Sequence, residues 1–174
     1  MAFASALHEW HEFYVLVGTA GATLLALLFV AISLGVGFLT DKWAAATRIF
    51  YSPVVVHFTA VFVIAAVGLF PAHSAAVFAA LIGGCAAAGG AVSVFTTVQL
   101  MRNRWTKYVQ NHLAYGLLPA IAYASLLIVA AMISKENESA LDVLAGALLL
   151  LLMVNIRNTW DLTLSMVRQQ ANRH

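Results

Sequence analysis

The chain has 174 residues, 63% of them hydrophobic and only 9% charged, with nine Lys or Arg against seven Asp or Glu. Soluble globular chains carry about 25% charged residues, and a mean hydropathy of +0.91 falls outside their range. A formal charge of +2, scattered along the chain, excludes the basic patch of a nucleic-acid binder, and the single cysteine, Cys85, excludes an internal disulfide. The composition specifies an all-α, polytopic membrane protein, with residues 1–174 forming one transmembrane domain.

Crossing about 30 Å of hydrocarbon at 1.5 Å per residue takes roughly 20 apolar residues in a helix. The first segment that qualifies is Phe13 to Leu39. No basic stretch precedes it and it is too long for a signal-peptide core, so it reads as a retained span. Ahead of it stands His8-Glu9-Trp10-His11-Glu12. On a helix, His8 shares a face with His11 and Glu12. Together with His73 these side chains form a weak candidate for Zn²⁺ or a similar metal. The spacing is not that of a zinc protease, because the second histidine comes one position early.

The second span is Ser52 to Phe70, in which Ser52-Pro53 reads as an N-cap and first helical residue and His57 lies about one turn inside. After the short Pro71-Ala72-His73 turn, the third span runs from Ser74 to Met101. Ala76, Ala80, Gly84 and Ala88 recur at every fourth position, with Ala79, Gly83, Ala87 and Ala91 beside them. Small ridges let helix backbones approach closely. This span is expected to be the central helix, or the contact between subunits of a homo-oligomer, through Gly83, Gly84, Ala80, Ala87 and Ala88.

The fourth span, Leu113 to Ser134, begins just after His112, and Pro119 is expected to kink it. The fifth, Ala140 to Ile156, contains the run Leu148 to Leu152, which lacks small residues and is expected to face lipid. Its tail, residues 157–174, reads as a short interfacial segment. Arg102-Asn103-Arg104-Trp105 and Arg157-Asn158-Thr159-Trp160 close the third and fifth spans alike. This echo fits two repeated hairpins of the kind found in transporters.

Eight of the nine basic residues fall in alternate gaps, around Lys42 and Arg48, Arg102 to Lys107, and Arg157 to Arg173; Lys135 alone lies in the others. The positive-inside rule then places the N-terminus outside and the C-terminus in the cytoplasm of a plasma membrane, the bacterial inner membrane being the natural setting. An odd number of spans likewise puts the two ends on opposite sides. Trp10, Trp43, Trp105 and Trp160 all sit at span boundaries, where indole is favoured.

With that orientation His57, His112, Gln99, Tyr115, Asn155, Arg157 and Asp161 share a depth near the cytoplasmic side. Polar and ionisable groups in a span usually face a protein interior or a wet cavity, so these residues outline a cytoplasmic vestibule. Arg157 and Asp161 are one turn apart and suit an interfacial pair. No phosphate-binding loop or nucleophile elbow appears, and no acid, base and nucleophile converge, so an enzyme is not expected. The expected function is a homo-oligomeric ion or small-solute channel or transporter. The rivals are a redox subunit holding haem between His57 and His112, and an accessory subunit that docks a protein partner. No cofactor is strongly implied.

Overall fold

The computed structural model describes residues 2–35, 41–70, 74–102, 113–135, 137 and 139–171, and side-chain surroundings for most of these. Its helices are α1 (Ala2–Glu9), α2 (His11–Gly35), α3 (Asp41–Leu69), α4 (Ala75–Arg102), α5 (Leu118–Ile133) and α6 (Ala140–Ala171). Five helical stretches, His11–Leu34, Ser52–Leu69, Ala75–Gln99, Tyr115–Ile133 and Ala140–Leu164, are long and apolar enough to cross a membrane. This is a multi-pass, all-helical membrane protein. In lipid each span closes its own backbone hydrogen bonds, which is why helices form whatever the side-chain pattern.

Helices α3, α4, α5 and α6 form a closed ring in which each packs against the next, and α2 lies against α3 and α6. Glycine contacts set the antiparallel registers. Gly18 meets Ala65, Gly21 meets Val61 and Gly68 meets Tyr14 between α2 and α3. Between α4 and α5, Gly83 meets Ala130, Gly90 meets Tyr123 and Thr97 meets Gly116. At each of these positions a bare Cα lets the neighbouring helix approach.

Helix α6 is the most buried of the five spans and α4 among the least, and α6 packs on α2, α3 and α5. Leu144, Leu148 and Leu151 are fully buried and Leu152 nearly so, whereas Leu149 is exposed and Leu150 partly buried, so most of the Leu148 to Leu152 run faces inward rather than to lipid as expected. Where three helices converge, long branched side chains are needed to fill the space between them. The small residues of α4 divide instead. Ala79, Ala86 and Gly89 face inward, while Ala76, Ala80, Gly84, Ala87, Ala88 and Ala91 are exposed.

Two helix ends also differ from expectation. Helix α3 begins at Asp41, so Pro53 lies inside it rather than at its start. Helix α6 does not stop at Ile156 but continues to Ala171, about 48 Å in all at 1.5 Å per residue. Leu162 extends its buried stripe. The fourth span opens with a π-helical turn, Leu113–Leu117, directly before the first turn of α5 that holds Pro119. Proline has no N–H to offer the preceding turn, and a widened turn accommodates that loss.

Candidate functional site

Two adjacent glycines of α4 create the site's geometry. A Cβ on Gly89 would collide with the ring of Tyr123, and one on Gly90 would touch Tyr123 Cβ. The phenol of α5 therefore lies directly on the α4 backbone and reaches across the ring to α3. There Tyr123 Oη and His57 Nδ1 share a hydrogen bond of 2.8 Å, and the two rings lie tilted with centroids 5.4 Å apart. His57 is 1% exposed and its other ring nitrogen, Nε2, is buried with no hydrogen-bond partner in the protein.

Asn155 of α6 is fully buried. Its Nδ2 donates to the Leu151 carbonyl at 2.8 Å, while its Oδ1 has no partner. Ser93 of α4 is also fully buried with its hydroxyl unpartnered. Thr96 and Thr97, less than a turn or so later on that helix, close onto the Val92 and Ser93 carbonyls. Ser93 does not use this local option. Tyr115, in the π-helical turn, donates from its hydroxyl to the Asn158 carbonyl of α6 at 2.9 Å.

Of the residues singled out from the sequence, His57, Tyr115 and Asn155 are buried in the bundle. Gln99 is partly buried. Arg157 and Asp161 do not join them, because they are exposed on the opposite stripe of α6 together with Met153 and Trp160. A helical turn separates residues on one face, whereas Arg157 and its buried neighbour Asn158 point about 100° apart. His112 lies outside the described residues. The sequence reading did not place Ser93, Tyr123 or Asn158 in the vestibule. The legible signal was the Gly89-Gly90 pair, which marks a close approach by a large neighbour, although nothing local says which one.

At the other end of the bundle, the rings of His8 and His11 are 6.2 Å apart and both residues are exposed, as is Glu12. His73 lies outside the described residues. Among the described residues no three metal-ligating side chains gather into a possible metal site. Tyr14 is fully buried there, its ring packed against Gly68.

Comparison with protein-family models, curated proteins and solved structures finds no match.

Proposed function

We propose that this protein is a small-solute or ion transporter or channel of the plasma membrane, working as a homo-oligomer, with its N-terminus outside and its C-terminus in the cytoplasm. The carrying observation is His57, an ionisable side chain held fully inside a membrane-spanning ring, tied to Tyr123 on one nitrogen and unpartnered on the other. Ionisable residues inside membrane segments are expensive to bury and characteristically line transport pathways. Ser93 and Asn155 contribute further buried polar atoms from two more helices of the same ring. The charge rule would turn this polar half of the bundle toward the cytoplasm.

The exposed small face of α4, with Ala80, Gly84, Ala87 and Ala88, supports the oligomer, since such faces suit close helix pairing between copies. The test is flux into liposomes containing the purified protein, across common inorganic ions and small neutral solutes. Uptake above that of protein-free liposomes is expected, and it should fall in His57→Ala without a change in oligomer size. Protein-containing liposomes no leakier than empty ones for every species tested would overturn the proposal.

A further inference from the structure

Three of the buried polar side chains, His57, Ser93 and Asn155, fall at one level of the ring by helix register. Along α4, Ser93 stands midway between Gly90, which faces Tyr123, and Thr97, which faces Gly116. It is therefore opposite the α5 turn that holds Pro119. Along α6, Asn155 is one turn from Asn158, whose carbonyl receives the Tyr115 hydroxyl. Because α5 and α6 run in opposite directions, Asn155 also lies opposite the Pro119 turn. Tyr123 starts one turn further along α5, but a helical side chain leans toward its helix N-terminus. Its hydroxyl, and with it the His57 ring, comes back to the same level. Four helices thus each send one polar side chain into the ring at the depth of Pro119. Three atoms there have no partner in the protein: His57 Nε2, Ser93 Oγ and Asn155 Oδ1.

Leaving three such atoms dry would cost about 1–3 kcal/mol each. A single small guest that bridged all three would satisfy them. The amide oxygen of Asn155 only accepts, so the guest must carry an N–H or O–H. The serine hydroxyl both donates and accepts, and the imidazole does either according to its tautomer. The guest is also uncharged: the buried polar residues among those described are His57, Ser93, Thr96, Asn155 and Asn158, with no carboxylate, Lys or Arg among them. A bare ion would arrive without a counter-charge, and burying it unpaired is prohibitive.

We propose that the level of Pro119 is a binding site for a small, uncharged hydrogen-bond donor, of which water is the smallest member, held by His57 Nε2, Ser93 Oγ and Asn155 Oδ1. The site stands on its own geometry; its corollary, that the permeant is a neutral hydrogen-bonding solute, rests on the transport reading above.

The test has two arms on the full chain in lipid bilayers. In the first, protein labelled with ¹⁵N-histidine and ¹⁵N-asparagine is examined by solid-state NMR for magnetisation transferred from mobile water. Transfer to the His57 ring and to the Asn155 side chain is expected, weaker in Ser93→Ala. In the second, stopped-flow swelling of proteoliposomes is measured with water and urea as probes, alongside Na⁺, K⁺ and Cl⁻ uptake. Water or urea permeation above that of empty liposomes is expected, returning to the empty level in Asn155→Leu. If that variant misfolds, Ser93→Ala carries the comparison.

Absence of water transfer to both side chains, while exposed His8 receives it, overturns the site. Transfer without permeation of anything leaves the site standing and removes the transport reading. Ion uptake without neutral-solute permeation overturns the corollary.

Discussion

Gly89, Tyr123 and His57 act as one unit at the scale of single residues, and the smallest of them sets the other two. In Gly89→Ala the new methyl would overlap the Tyr123 ring. The phenol must then swing away, breaking its hydrogen bond to His57. A destabilisation of about 1–3 kcal/mol is expected from overpacking, read as a lowered unfolding midpoint in detergent. Gly146→Ala is the control, because nothing lies within 4 Å of a Cβ there; its effect should stay within about 0.5 kcal/mol. The His57–Tyr123 bond itself is expected to be worth little. Interhelical hydrogen bonds in membranes average about 0.6 kcal/mol in double-mutant cycles and reach about 1.7 at most. A cycle of Tyr123→Phe with His57→Leu should therefore return a coupling in that range. Single Tyr123→Phe should cost more than this coupling, since it strands a buried imidazole. A coupling near zero would show that the two side chains are neighbours without being partners.

For the individual helices, what the sequence made legible was their number and their length. Each apolar run had to be helical and long enough to span, so Ser52–Leu69 and Ala75–Gln99 emerge almost where the composition put them. Helix ends were less legible. Proline at position 53 looks like a start, but a helix already in progress tolerates it, and α3 begins at Asp41. The buried faces were not legible at all. In water the apolar stripe of a helix points to the core, but these helices are apolar all round, so lipid and interior look alike in the sequence. That is why the leucines of α6 read as lipid-facing although most are buried, and why the small residues of α4 did not show which of them face inward and which outward. Polar residues kept their information: His57 and Asn155 were identifiable because lipid would reject them, while their surroundings, set by Tyr123 some 66 positions away, were not. The exposed small face of α4 yields a test at this scale. Gly84 is exposed and a Cβ there meets nothing within 4 Å, so in Gly84→Leu the unfolding midpoint should be unchanged while the oligomer measured by light scattering becomes smaller. An oligomer of unaltered size would remove α4 as the contact.

For the whole molecule, the ring α3–α4–α5–α6 closes when α6 joins α5 to α3, and α2, packed mainly on α3, also touches it. Synthesis and membrane insertion run from the N-terminus, so the keystone is laid after every helix it must hold. Until Ala140 and the residues beyond it emerge, His57 has no α6 to shield it, and Tyr123 faces the same gap. A polypeptide ended at residue 139 should therefore behave in cells as an orphan for quality control, cleared with a short half-life in a pulse-chase experiment. Supplying residues 140–174 as a separate peptide should lengthen that half-life. Maturation of this protein is thus held open until its fifth crossing, a natural point for surveillance by the insertion machinery.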